Sequence, residues 1–176
     1  MIFYPTLFEA SSARQVEWCA AAPMSLSYFS NELGGEAGEV LELWEEISSV
    51  PDEDTYANLA DELGDVVICT INIAIKTGIT VKGYALPSED VSTSTLFIGL
   101  GADVGVAQNI VKKLEREQLG LVGSRATPNE LMQALNTVLV TAYTLAGRFD
   151  IDLEAATRAK FNKTSSKYGL QTMVLH

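Results

Sequence analysis

The chain has 176 residues, enough for one domain with a substantial core, and its 47% hydrophobic and 20% charged content excludes disordered and fibrous classes. A net charge of −11 excludes a nucleic-acid binder of the usual kind, which needs a basic surface against phosphates. No run of consecutive apolar residues reaches the about 18–20 of a membrane span, and Met1 to Ala10 lacks a basic-then-apolar leader, so a cytoplasmic protein with no membrane partner is expected.

Charge is divided unevenly along the chain. Residues 1–90 carry 16 acidic and 3 basic side chains, whereas residues 91–176 carry 7 acidic and 9 basic ones. An acidic half beside a mildly basic half could together hold a cation and a phosphate. Cys19 and Cys69 lie in helical patterns and read as buried free thiols of a reducing compartment.

Apolar positions recur at three and four throughout, and no alternating strand pattern stands out, so the chain reads as all-α. Helices are predicted near 10–21, 25–49, 54–77, 93–118, 128–148 and 152–167, with loops at 83–92 and 119–127. Pro51 follows the second helix, and Asp52 or Asp54 can cap the third. Thr127-Pro128-Asn129-Glu130 is a capping box with proline at the first helical position, where its missing N–H is harmless. Gly78 and Gly169 stand where left-handed C-terminal caps belong.

The segment from Glu32 to Val40 lines up with Gly99 to Ala107, sharing Leu33/Leu100, Gly34/Gly101 and Gly38/Gly105. Leu59, Leu63, Val66 and Ile79 match Leu131, Leu135, Val138 and Ile151 at a slightly larger offset. The chain thus reads as a single domain over 1–176, with one helical hairpin at about 25–82 and a degenerate second at about 93–151. Two hairpins make a four-helix bundle, with further helices at either end.

On a helical wheel, Leu33, Ala37, Val40, Leu41, Leu43, Trp44 and Ile47 fill one arc. Glu36 falls inside that arc and Glu32 and Glu39 fall at its edge, while Glu42, Glu45 and Glu46 lie on the solvated side. The next helix is apolar nearly all round. Its polar exceptions, Asp61, Glu62, Asp65 and Asn72, share one strip with Cys69. Like charges at these spacings destabilise a helix, and partly burying them costs more unless they are protonated or paired. Within the first 90 residues only Arg14, Lys76 and Lys82 could pair with them, so a divalent cation would resolve the conflict.

The pattern Glu36-x-x-Glu39, 22 residues, Glu62-x-x-Asp65, set within Asn-Glu-Leu-Gly-Gly-Glu-Ala-Gly-Glu-Val and Asp-Glu-Leu-Gly-Asp-Val, resembles the MazG-like all-α nucleoside triphosphate pyrophosphohydrolases. That superfamily includes the dimeric dUTPases. The resemblance covers about residues 26–82, and Ala155 to Gly169 is similar to the lysine-rich helix that closes family members. It implies that Glu36, Glu39, Glu62 and Asp65 bind Mg²⁺, for which Mn²⁺ could substitute. It also implies water attack at the α-phosphorus of a (deoxy)nucleoside triphosphate, giving the monophosphate and pyrophosphate in nucleotide-pool housecleaning. Glu32, one turn before Glu36, would be a further ligand, the base that activates water, or a bystander. In the second half Glu32, Glu36 and Glu39 become Gly99, Asp103 and Val106, and Glu62 and Asp65 become Ala134 and Thr137. A second metal site is not expected there.

Lys160, Lys163 and Lys167 share a face of the last helix beside Asn162. They would meet phosphates, or simply place cations in a helix's last turns. Lys112, Lys113 and Arg116 read as solvated. Trp18 and Trp44 would stack on a nucleobase or fill the core, and Arg14-x-x-x-Trp18 is similar to dCTP-preferring relatives. Asn72 would read a sugar or base edge. The only histidine, His176, stands at the end of the sequence, which removes histidine-based nucleophilic catalysis, zinc and Glu-x-x-His di-iron chemistry. No phosphate-binding glycine loop is present. The alternative to an enzyme is a catalytically silent helical scaffold that binds a nucleotide or a protein. One chain would equal the bundle that single-hairpin relatives build by pairing, and an additional homodimer stays open.

Overall fold

Six helices form among the described residues: α1 (Pro5–Trp18), α2 (Leu26–Ser49), α3 (Glu53–Thr77), α4 (Thr93–Gln118), α5 (Pro128–Arg148) and α6 (Leu153–Lys167). They are seen in a computed structural model that describes residues 5–19, 23–86 and 91–174, and among these no strand forms. His176, positions 20–21 of the first expected helix and positions 87–90 of the expected 83–92 loop lie outside the described residues.

The caps explain where most helices start and stop. Asp52 accepts from the Thr55 N–H at 2.8 Å and closes a reciprocal capping box at the start of α3. Thr127 and Glu130 do the same for α5, with Pro128 just inside it. Gly78 and Gly169 adopt left-handed φ values of 68° and 69°, which end α3 and α6 at low steric cost.

The first helix begins five residues earlier than the apolar pattern predicts. Its buried positions are Leu7, Ser11 and Arg14, so two of the three residues on its inner stripe are polar and give no hydrophobic signal. Arg14 is held by a hydrogen bond to the Phe161 carbonyl at 3.0 Å, with its guanidinium 3.5 Å from the Phe161 ring centre.

The hairpins α2–α3 and α4–α5 pack as a four-helix bundle in which α2 borders α3 and α4, and α5 borders the same two. The matched repeat positions fill equivalent places in the core: Leu33, Leu59, Leu63 and Val66 are fully buried, as are Leu100, Leu131, Leu135 and Val138. Helix α3 also packs against α1 and α6, which accounts for its nearly all-round apolar surface. Cys69 is buried, whereas Cys19, expected buried, is only half-buried.

Helix α4 departs from the expectation that no segment could span a membrane. By length and composition it is long and apolar enough to do so, Asp103 being the one charged side chain in its apolar stretch. In the bundle it presents Leu96, Phe97, Leu100, Val104, Ala107 and Val111 to its neighbours at the spacing of an amphipathic helix.

Helix α6 approaches α3 at Gly64. A Cβ there would stand 3.3 Å from both the Thr157 Cα and the Lys160 Cβ. At Gly105, also helical, a Cβ would meet nothing within 4 Å. Alanine in a helix interior is favoured over glycine by about 1 kcal/mol, and overpacking against backbone costs about 1–3 kcal/mol. Gly105→Ala is therefore expected to raise stability by about 1 kcal/mol, and Gly64→Ala to lower it, in chemical denaturation. Equal gains from both would show that the α3–α6 contact is looser than these distances imply.

Candidate functional site

A cavity of about 430 Å³ opens between α1, α2, α3 and α6. Glu32, Glu36 and Glu39 line its α2 wall, and Glu62, Asp65, Cys69 and Asn72 its α3 wall. Lys160, Lys163 and Lys167 stand on the α6 wall, with Arg14 and Trp18 from α1. The structure thus brings to one cavity every candidate catalytic, metal-binding and substrate-binding residue except Trp44.

Trp44 is a correction. Its ring centre lies 5.0 Å from that of Phe97 on α4, and it packs on the core rather than on the cavity. A wheel places it on the apolar arc but does not say which neighbour that part of the arc meets. Trp18, by contrast, is 40% exposed and pairs with Tyr168 at 4.9 Å between ring centres, both rings lining the cavity.

Oxygens of Glu36, Glu62 and Asp65 lie within 4.8 Å of one another. Glu39 lines the same cavity but stands outside this close group. Oxygens on Mg²⁺ are about 3 Å apart when cis and about 4.2 Å when trans, so the three groups would need to draw together by rotation of their side chains to share one ion. The Glu62 Oε2 atom is buried without a hydrogen-bond partner. A hard-oxygen donor set with one unsatisfied oxygen fits a divalent cation.

The expectation that the carboxylates lack cationic partners is corrected by α6. Lys160 Nζ lies 2.6 Å from Asp61, 2.8 Å from Asp65 and 3.9 Å from Glu62. Lys163 Nζ lies 2.9 Å from Asp61. These partners are about a hundred positions away in sequence, so counting charges in the first half alone missed them. Gln15 was also missed: its amide donates to Asn72 Oδ1 at 3.0 Å and fixes that side chain against the cavity. The distances of α1 and of Tyr168 from the motifs leave no local signal for either.

Lysine does not neutralise the cluster evenly. Burial, then the like charges of Asp65, Glu39 and Glu62, push Glu36 up to about 7. Burial also raises Glu62 and Asp65 above the usual carboxylate range, although Lys160 opposes the rise in both. Asp61 falls below it: burial works against the shift, but hydrogen bonds from Lys160 and Lys163 prevail. Burial lowers Arg14 to about 10, which leaves it charged at neutral pH.

In the second hairpin the matching carboxylate has a partner of its own. Asp103, matching Glu36, accepts from Thr141 Oγ1 at 2.6 Å, and Ala134 and Thr137 replace Glu62 and Asp65. One carboxylate meets one hydroxyl donor, with no acidic group left over.

A carboxylate whose folded-state pKa is raised binds its proton more tightly when folded, so its contribution to stability is present below the unfolded value and is lost as pH rises through the folded one. For Glu36 the window runs from 4.5 to about 7. The carboxylates with lowered pKa, Glu17, Asp52, Asp61 and Glu130, act in the opposite sense and below it. In chelator, the urea midpoint is expected to fall as pH rises across that window, and Glu36→Gln to flatten the decline. A midpoint that rises through the window would contradict this electrostatic account. Comparison of the chain with protein families, with curated proteins and with solved structures finds no match.

Proposed function

We propose that this chain is a Mg²⁺-dependent hydrolase that converts a (deoxy)nucleoside triphosphate to its monophosphate and pyrophosphate, serving nucleotide-pool housecleaning. The observation that carries the reading is one cavity lined both by three converging carboxylates of α2 and α3 and by three lysines of α6. Its volume of about 430 Å³ falls within the range of small-molecule sites. The motif pair Glu36-x-x-Glu39 and Glu62-x-x-Asp65 adds the resemblance to MazG-like pyrophosphohydrolases.

Glu36, Glu62 and Asp65 would hold the ion, with Glu39 at the rim completing the set. The bound ion supplies charge neutralisation for the triphosphate and a lower pKa for water. Lys163 and Lys167 offer ammonium groups to the phosphate oxygens from the opposite wall. Glu32 is exposed at the cavity edge, beside the Tyr28 hydroxyl, and in this reading would accept a proton from attacking water. As the water oxygen bonds to the α-phosphorus, the bond to the bridging oxygen breaks and pyrophosphate leaves. Trp18 and Tyr168 offer aromatic faces to the base, and Asn72, held by Gln15, offers an amide to the base or sugar edge.

The second reading, a silent scaffold that binds a nucleotide or protein, is favoured by one observation. Lys160 already supplies Asp61 and Asp65 with a cation.

The test is a panel of (d)NTPs with Mg²⁺ or Mn²⁺, scoring pyrophosphate and inorganic phosphate separately. Pyrophosphate from a subset of nucleotides is expected, abolished by EDTA and reduced at least about 100-fold by Glu62→Gln or Asp65→Asn. Trp18→Ala is expected to raise KM about tenfold with a smaller effect on kcat, as loss of one base-stacking contact would. Absence of turnover with any nucleotide and either ion, in folded protein, would favour the scaffold.

A further inference from the structure

Lys160 is in an unusual position for a phosphate-binding lysine. Its ammonium lies within the carboxylate cluster, 2.6 Å from Asp61 and 2.8 Å from Asp65, and its side chain is only 13% exposed. Asp65 and, at 3.9 Å, Glu62 are two of the three converging carboxylates. Asp61 is not one of them.

Two cations cannot share this place without cost. A divalent ion on Glu36, Glu62 and Asp65 would stand within a few ångströms of the ammonium, in surroundings that screen poorly. The backbone of Lys160 is held in place, because α6 lies close on α3 at Gly64 and is anchored by the buried Thr157, Phe161 and Ser165 on either side. Only the flexible end of the side chain can move. It has one anchor that a metal would leave untouched, Asp61, and an open cavity beside it lined by Lys163, Thr164 and Lys167.

We propose, resting on the metal-binding reading above, that Lys160 is an internal competitor and positioning residue. Without metal it bridges Asp61 and Asp65, and when the ion arrives it gives up Asp65 and pivots about Asp61 toward the cavity, where phosphate oxygens would meet it. The carboxylates are thereby kept neutralised in the empty protein, and free divalent ions bind weakly until a polyanion compensates the added charge. Metal and triphosphate affinities are coupled through this one side chain.

Mn²⁺ alone is the probe, its free concentration read by the electron paramagnetic resonance signal of the aqueous ion over the full-length chain. Lys160→Met, which keeps the length of the stem, is expected to tighten Mn²⁺ binding by about tenfold or more. Lys160→Arg, which keeps the charge, is expected to give no tightening. Lys163→Met removes a charge that is 69% exposed and touches only Asp61 among the carboxylates, so its effect is expected to be smaller. Tightening is diagnostic, since a merely structural lysine would weaken the site when removed. Folded Lys160→Met that binds Mn²⁺ no better than wild type overturns the proposal. Should that variant fail to fold, the wild-type chain decides. Labelling of Lys160 by an amine-reactive reagent, followed by mass spectrometry, is expected to rise several-fold when Mn²⁺ is bound. Unchanged labelling with Mn²⁺ demonstrably bound overturns the pivot. Absence of Mn²⁺ binding in both wild type and Lys160→Met overturns the metal reading itself, and the competitor role with it.

Discussion

Carboxylates on the most enclosed helix set the terms for the rest of the molecule. Helix α3 packs against α1, α2, α5 and α6, and Leu59, Leu63, Val66 and Val67 on it are fully buried. Its one polar strip carries Asp61, Glu62 and Asp65, and a buried carboxylate without a partner costs several kcal/mol. Whatever covers that strip must bring positive charge. Helix α6 does so with little apolar investment: Leu153, Thr157, Phe161 and Ser165 form a single buried ridge at every fourth position, and Lys160 and Lys163 flank it. Helix α1 is then pinned in turn, through Arg14 on the carbonyl and ring of Phe161. The two terminal helices thus cover the polar strip while adding Leu7, Leu153 and Phe161 to the apolar core.

The pseudo-repeat makes the same point by contrast. Both hairpins keep the same leucines at the centre, so packing is shared. At the place of Glu36, however, the second hairpin has Asp103 hydrogen-bonded to Thr141, while Glu36 faces Glu62 and Asp65. A carboxylate with one hydroxyl donor is close to neutral in its demands. Three carboxylates with a shortage of donors are not, and no requirement of the fold explains them, because the second hairpin packs equally well without them. That asymmetry is the physical reason to read the first hairpin as a site.

Much of this was legible before the structure. Glu36 fell inside an apolar arc and Glu62 and Asp65 on the only polar strip of a buried helix, so a wheel sufficed to bring them together. Capping residues at Asp52 and Thr127 marked helix starts because their hydrogen bonds are local. What failed was whatever depended on which helix lies opposite. Trp44 and Trp18 are both aromatic residues on helices, yet one meets Phe97 in the core and the other Tyr168 at the cavity. The pairing of Lys160 with Asp61 spans 99 positions, and no periodicity encodes it. Helix α1 began early because Ser11 and Arg14, two buried polar residues, do not look like a core face.

The internal cations also leave the cluster unbalanced in a particular direction. Lys160 and Lys163 both reach Asp61, which falls below the usual carboxylate range. Glu36, across the cluster on α2, receives Lys160 only as the weakest influence and rises to about 7. The positive charge is therefore concentrated at the α6 side and the deficit at the α2 side, where Glu39 adds a further acid. In the proposed reading, this deficit between two helices, next to a lysine-lined wall, is the electrostatic complement of a cation carried together with a polyanion.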